Sequence, residues 1–451
     1  MTKNIRRIFS LILAALALLT LVLPVFADDD GETEDAIKAD GSAPEIKRCG
    51  GAYLYNFEND EVLFEYNPSA ECSPASTVKL MTAIVVFDEF EGRLDTEITV
   101  TWDMLNEVSG NKVGFSAGEV VTVRQMLNCM LVNSANDAAI ILAQATAGDT
   151  KSFVRMMNDK AAWLGANNTY YTNPTGMFDS AMVTTARDTG IIARYAYSIE
   201  GFTDITSTPK YVMDATNLSD YRSVYNRNGL VSRYYKGEYF YVGAMGLNAG
   251  ATSSGSYAVC GVATDSDMGL TYLAVVLDAE EDEDTGDIYS YIDAIRMFDW
   301  AFSSYAMRTV LPSSRVICEI PVNLSATLDY VTLVPKEDIT VFLPTAVDLA
   351  KEVRFSYNTF ADSLDAPIES GDEAGTITVL YGDRILGSCP LITTTSITRS
   401  EFLSFLARVK EFTRGRFFIG MIVSAVVLSV AYILIKAALR EKRLRHLSGR
   451  R

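Results

Sequence analysis

The stretch Pro74-Ala75-Ser76-Thr77-Val78-Lys79 sets a hydroxyl and an amine three positions apart. On a helix, positions i and i+3 share a face, so Ser76 and Lys79 are expected side by side. A serine hydroxyl becomes a useful nucleophile once a base takes its proton. A lysine amine serves as that base when burial or a neighbouring cation lowers its pKa. Pro74 suits the first turn of a helix, and Leu80 to Val86 supply the apolar run that would bury one. A capping serine beside a solvated lysine satisfies the same positions. The spacing recurs at Ser207 and Lys210, but there Pro209 forces Thr208 out of the helical region. That copy cannot put its two groups on one helical face.

The chain has a single histidine, His446, in its basic C-terminal stretch. This excludes a Ser-His-Asp triad and a histidine-based zinc site. Any hydrolysis must run on Ser, Lys, Asp, Glu or Tyr, and chemistry on a serine and a lysine calls for no metal or other cofactor. The six cysteines, Cys49, Cys72, Cys129, Cys260, Cys318 and Cys389, show no metal-ligand spacing, and their pattern leaves disulfides and buried thiols both open.

The elements that must position Ser76 and Lys79 follow from periodicity. Two alternating runs, Ala52 to Phe57 and Val62 to Tyr66, flank Glu58-Asn59-Asp60-Glu61 and predict a hairpin. Amphipathic spacing predicts a helix over Val121–Val132 and another over Asp137–Ala145, with the polar knot Asn133-Ser134-Ala135-Asn136 between them. Such a knot reads as a helix N-cap or as a second hydroxyl and an amide aimed into a cleft. Further helices are expected over Phe153–Leu164, Thr185–Tyr197 and Ile288–Phe302, and adjacent strands over Tyr257–Thr264 and Thr271–Val276. Asn173-Pro174-Thr175-Gly176 is turn chemistry. From about Val310 the texture becomes short β-rich runs punctuated by Gly, Pro and Asp, which predicts a second, all-β domain.

The ends of the chain read as export and anchoring. Lys3, Arg6 and Arg7 precede the apolar core Leu11 to Leu23 and the small-residue site Val25-Phe26-Ala27, the layout of a signal peptide. Phe417 to Ile435 is an uncharged apolar run of 19 residues, long enough to cross a bilayer as a helix. Seven cations follow it against four just upstream, which places the tail in the cytoplasm. Before it, Phe402, Phe405, Leu406, Val409 and Phe412 fall at helical spacing among Arg and Lys, as in an interfacial helix. The formal net charge is −18, and residues 28–435 alone carry about −27. That excess argues against a nucleic-acid partner.

In order, Ser76-x-x-Lys79, Ser134-Ala135-Asn136 and Gly246-Leu247-Asn248-Ala249-Gly250 resemble the motifs of the serine D-alanyl-D-alanine carboxypeptidases, the low-molecular-weight penicillin-binding proteins. The linking stretches Gly118 to Val123, Met157-Asn158, Leu164-Gly165, Thr172 to Gly176 and Thr185 to Asp188 are also similar. Asp365 to Ile368 and Pro390-Leu391 are similar to the β-domain that follows the enzyme in that family. The resemblance implies an α/β (α+β) fold. An antiparallel sheet flanked by helices would be followed by a small all-β domain and a C-terminal transmembrane helix. The expected segments are a signal peptide (1–27), an acidic disordered spacer (28–44) and a catalytic domain (45–305). An all-β domain (310–398), a juxtamembrane helix (399–416), a transmembrane helix (417–435) and a basic cytoplasmic tail (436–451) complete the chain.

By the same resemblance Ser76 is the nucleophile, Lys79 its base, and Ser134 the relay that protonates the leaving D-alanine. Asn136, Asn248, Gly250 and Thr252 bind substrate, with Asn136 also steadying Lys79. Backbone N–H groups of Ser76 and of the strand near Thr252 hold the oxyanion. The implied partners are peptidoglycan stem peptides, β-lactam antibiotics as inhibitors, and membrane lipid. The sequence departs from the family where Lys-Thr-Gly becomes Asn248-Ala249-Gly250, and Thr175 stands where histidine is usual. Lys236, from the preceding segment, is a cation available to replace the missing lysine. Two readings follow: a membrane-anchored carboxypeptidase, and a catalytically weak or inactive cell-wall scaffolding protein on the same fold.

Overall fold

The computed structural model describes residues 43–46, 48–252 and 255–448. The expected signal peptide, nearly all of the expected acidic spacer and the last three residues of the chain lie outside the described residues. The chain divides between Phe302 and Ser303 into two units.

The first unit is built on a five-stranded antiparallel sheet. Its strands are β1 (Gly51–Asn56), β2 (Glu61–Tyr66), β3 (Ala244–Ala251), β4 (Tyr257–Asp265) and β5 (Leu270–Ala279), in the order β2-β1-β5-β4-β3. The β1–β2 hairpin and the β4–β5 pair are where the alternating runs predict them. The central strand β5, Leu-Thr-Tyr-Leu-Ala-Val-Val-Leu-Asp-Ala, is buried almost throughout, which is why it reads as one continuous apolar run. Strand β3 lies at the sheet edge, so one side of its backbone is open.

The helices are α1 (Val78–Glu89), α2 (Val123–Asn133), α3 (Asn136–Ala147), α4 (Thr150–Trp163), α5 (Ala186–Ser198) and α6 (Tyr289–Ser304). Helix α1 is buried from Val78 to Phe87, packed by α2, α3, α4 and α5. A helix apolar on every side has to be a core helix, and this one holds Lys79 at its first turn. Helix α2 starts two residues later than the periodicity suggests. Thr122 accepts from Gln125 N–H and Gln125 reaches back to Thr122 N–H, a capping box that ends the short strand Val120–Thr122 and starts the helix. All six cysteines carry free thiols, and Cys72, Cys129, Cys260 and Cys389 are buried.

The second unit is the expected β-domain with two helices after it. Its strands are β6 (Tyr305–Leu311), β7 (Cys318–Asn323), β8 (Tyr330–Pro335), β9 (Ile339–Pro344), β10 (Val353–Thr359), β11 (Leu364–Asp365), β12 (Glu373–Tyr381) and β13 (Arg384–Thr393). Six of them form one sheet in the order β10-β12-β13-β8-β7-β11, and β6 pairs with β9. Helix α7 (Glu401–Arg414) leaves Phe402, Phe405, Leu406, Val409 and Phe412 exposed. Helix α8 (Arg416–Ser448) contains Arg416–Ala437, a stretch long and apolar enough to cross a membrane and with none of it buried.

Candidate active site

Ser76 sits in a 3-10 turn, Ala75–Thr77, that passes directly into α1. Lys79 follows one turn on and is fully buried. Its ammonium donates to the carbonyl of Thr175, and Thr82 Oγ1, one turn further, donates to Pro174 O at 2.7 Å. These two bonds hold the 173–176 turn on the helix. That turn is closed by Asn173 Oδ1, which accepts from Thr175 N at 3.1 Å, Gly176 N at 2.9 Å and Thr175 Oγ1 at 2.8 Å. Gly176 has φ +78°, and a methyl group there would lie 1.9 Å from Ala75 O, so only glycine fits against the nucleophile's turn. Burial pulls the Lys79 pKa down to about 7. At neutral pH a substantial fraction of Lys79 therefore carries a free lone pair, which a general base requires.

The knot between α2 and α3 does not cap a helix through its serine. Ser134 ends α2 in the left-handed region, φ 55°, and Ala135 occupies the N-cap of α3 with no side-chain cap bond. Ser134 Oγ is buried and, among the described residues, has no hydrogen-bond partner. The amide of Asn111 caps the end of α2 instead, with Nδ2 donating to Asn133 O and, at 3.3 Å, to Ser134 O. Asn136 N returns a bond to Asn111 O at 2.8 Å, and Asn136 Nδ2 donates to Ser109 O at 2.8 Å. Asp137 completes the clamp by accepting Val113 N at 3.1 Å and Gly114 N at 2.8 Å. The left-handed turn at Ser134 and the 109–114 loop thus fix each other.

Strand β3 forms the opposite wall. A methyl group built on Gly250 would lie 2.4 Å from both Cβ and Oγ of Ser76, so the glycine lets the strand backbone reach the nucleophile. Thr252 N–H donates to Ser256 O at 2.8 Å, toward the neighbouring strand. Successive N–H groups of a strand point to opposite sides, so Ala251 N–H points to the open edge beside Ser76.

Ser76, Ser134, Asn136, Thr175, Gly250 and Thr252 line one cavity of about 350 Å³, with Ala249 and Ala251 along the strand wall and Met177 and Phe178 at its rim. The structure brings these predicted residues together. Lys79 and Asn248 do not line the cavity; both are buried, at 0% and 2% exposure, and Asn248 Oδ1 is unpartnered among the described residues. Among the described residues, Arg227 is the one with a charged side chain in the lining. Lys236, the cation expected from the sequence, does not line the cavity. Sequence reasoning missed Arg227, although Asn226-Arg227-Asn228-Gly229 is a polar run of turn type just before the strand wall. Its backbone is pinned on both sides, by N–H donation to Val132 O at 2.9 Å and by Tyr291 Oη donating to Arg227 O at 3.2 Å.

Comparison with known proteins places this geometry in a family. Residues 39–281 match the D-alanyl-D-alanine carboxypeptidase family, and residues 305–399 match the penicillin-binding protein 5 C-terminal domain. The chain is 27% identical over 410 residues to the D-alanyl-D-alanine carboxypeptidase DacF of Bacillus subtilis, covering 89% of this chain and 97% of that protein. It is 31% identical over 251 residues to DacB2 of Mycobacterium tuberculosis, also a D-alanyl-D-alanine carboxypeptidase, covering 55% and 80%. Penicillin-binding protein 6B of Escherichia coli shares the fold, with a TM-score of 0.58 at 22% identity over 80% of this chain and 100% of that one. The chain belongs to the D-alanyl-D-alanine carboxypeptidase family of serine peptidases.

Proposed function

We propose that the chain removes the terminal D-alanine of peptidoglycan stem peptides through an acyl-enzyme on Ser76. The observation that carries this reading is a half-buried serine one turn from a buried lysine with a lowered pKa, in a cleft shared with Ser134 and Asn136. Neutral Lys79 takes the Ser76 proton as Oγ attacks the carbonyl. The oxyanion lies between Ser76 N–H and the edge-facing Ala251 N–H. Ser134 passes a proton to the departing amine, and the C–N bond breaks. Water then hydrolyses the ester, returning the proton to Ser76. Asn136 binds the substrate backbone.

The carboxylate of the leaving D-alanine has no ammonium and hydroxyl to grip at Asn248-Ala249, so Arg227 is the cation it reaches. Arg227 is exposed, and solvent screening weakens its hold. Turnover is accordingly slow. The body is exported and held by the 416–437 helix, with the basic tail inside; the excess of cations after the span supports that orientation. The exposed apolar face of α7 supports its lying on the lipid surface.

The scaffolding reading draws on Asn248 and Ala249 alone. Full-length protein in detergent should release D-alanine from a pentapeptide ending in D-Ala-D-Ala, and Ser76→Ala should release none. Equal release by both proteins would refute the assignment of Ser76. Release by neither, with both folded, would favour the scaffold.

A further inference from the structure

The two N–H groups proposed to hold the oxyanion come from segments far apart in the chain. Ser76 N–H lies at the head of α1 and Ala251 N–H at the tip of the edge strand β3. One carboxylate is tied to both segments. Asp278 Oδ2 accepts from Ser73 N–H at 2.8 Å, three residues before the nucleophile. Asp278 Oδ1 accepts from Ser256 Oγ at 2.6 Å. Ser256 is bonded in turn to Thr252, the residue after Ala251: Thr252 N–H donates to Ser256 O at 2.8 Å, and Thr252 Oγ1 accepts from Ser256 N–H at 3.1 Å. Asp278 itself does not line the cavity.

The backbone aims this side chain. Val276 pairs with Val259 and Ala279 with Tyr257, so β5 carries one residue more than β4 between those pairs. That is a β-bulge, which re-aims a side chain, and Asp278 takes the left-handed conformation within it, φ 49°. Gly50 N–H donates to Asp278 O at 3.1 Å, and a methyl group on Gly50 would lie 2.9 Å from Asp278 Cβ, so the chain entering β1 closes over the residue. At that φ a glycine would serve the backbone equally well, so the carboxylate is there for its bonds. The turn it holds needs holding. Ala75 has φ 46°, a conformation alanine keeps only where its surroundings impose it.

We propose that Asp278 is a positioning residue for acylation. It ties the nucleophile's turn to the tip of the strand wall and so fixes the gap between Ser76 N–H and Ala251 N–H. The oxyanion forms in that gap, and donors misplaced by about 1 Å lose on the order of 10²-fold in rate. Binding of the substrate before reaction depends less on the gap, so the loss falls on the chemical step. The proposal rests on acyl transfer at Ser76.

The test follows acylation of the full-length protein in detergent by a chromogenic cephalosporin, as a maximal rate and a half-saturating concentration. Asp278→Gly keeps the left-handed backbone and removes both bonds. Its maximal rate should fall roughly ten- to a hundredfold, and its half-saturation should move by less than about twofold. Asp278→Asn can keep both bonds, its oxygen accepting from Ser73 N–H and its amide donating to Ser256 Oγ, and should stay within about threefold of the wild type. Ser256→Ala cuts one half of the tie and should slow acylation about threefold or more. Asp278→Gly combined with Ser256→Ala should be no slower than Asp278→Gly, because the serine acts through the carboxylate. A residue serving stability alone would lower Tm in Asp278→Gly and leave its maximal rate, measured well below Tm, at the wild-type value. That result would overturn this proposal alone, as would additive losses in the double variant. If Asp278→Gly does not fold, Ser256→Ala decides, and a wild-type rate there would overturn the tie. Failure of the folded wild type to acylate would overturn the role of Ser76, and this proposal with it.

Discussion

The two walls of the cleft hold their groups by opposite means. On the helical wall the groups proposed to do the chemistry are side chains, and burial holds them. Lys79 is fixed inside a core helix, Ser134 at a left-handed turn clamped by Asn111 and Asp137, and Asn136 at the first position of the next helix. On the strand wall the backbone does the work. Gly250 admits the strand to Ser76 and Ala251 N–H faces the same space, while the side chains of 248 and 249 carry no charge. In the proposed mechanism, making the acyl-enzyme and gripping the substrate's far end are therefore separable. The first needs a lowered pKa and a positioned hydroxyl. The second needs a cation, which the strand lacks and which Arg227 supplies in the function proposed above.

The largest effect should come from the helical wall. Lys79→Met should slow acylation roughly 10²- to 10⁴-fold, the range for losing a general base, in stopped-flow measurements with a chromogenic β-lactam. In the wild type the same rate should rise with pH and level off above about 7, where Lys79 is neutral. A flat profile from pH 5 to 9 would remove Lys79 as the base. The same shift has a stability consequence with a definite sign. Between about 7 and the ordinary lysine value, the unfolded chain binds a proton that the folded chain lacks, so stability rises with pH across that window and the burial cost is complete below it. Lys79→Met removes that cost. Its Tm at pH 6 should therefore exceed that of the wild type by several degrees, and the gap should shrink as the pH approaches 10.

Next is Gly250→Ala on the strand wall. The added methyl would overlap Ser76 Cβ, so the strand or the serine must shift. A displacement near 1 Å at reacting atoms costs on the order of 10²-fold, and acylation should fall by about that much with Tm little changed. Wild-type acylation would show that the strand does not abut the nucleophile.

The smallest effects concern the carboxylate. Arg227→Gln should lower kcat/KM on a free-acid D-Ala-D-Ala peptide about tenfold, since a charge-assisted bond at an exposed site is worth roughly 1–2 kcal/mol. It should leave the C-terminally amidated peptide nearly unaffected. Asn248→Lys with Ala249→Thr should raise activity on the acid severalfold and by more than on the amide. Equal changes on acid and amide in either variant would mean that the carboxylate is held elsewhere.

The legible parts of the molecule were local. Ser76 and Lys79 are one helical turn apart, and the apolar run behind them is a core helix because it is apolar on every side. The C-terminal stretch of 416–437 is long and uncharged enough to be read without context. What escaped depends on distant partners. Arg227 enters the cleft because Val132 and Tyr291, far off in sequence, pin its backbone. Ser134 reads as an N-cap, since nothing local reveals that the chain turns left-handed there and leaves Ala135 at the N-cap of α3. Strand β13 carries Gly387 and Pro390, which break a strand pattern in the sequence, and only its pairing with β12 and β8 overrides both.

The central claim is that the helical wall is a working acylation centre despite the altered strand. Its most direct test is the intact mass of full-length protein after incubation with benzylpenicillin, followed by peptide mapping. The account predicts one covalent adduct per chain, on the peptide containing Ser76, formed slowly to completion and absent in Ser76→Ala. A folded wild-type protein that stays unmodified, or an adduct that persists in Ser76→Ala, would contradict it.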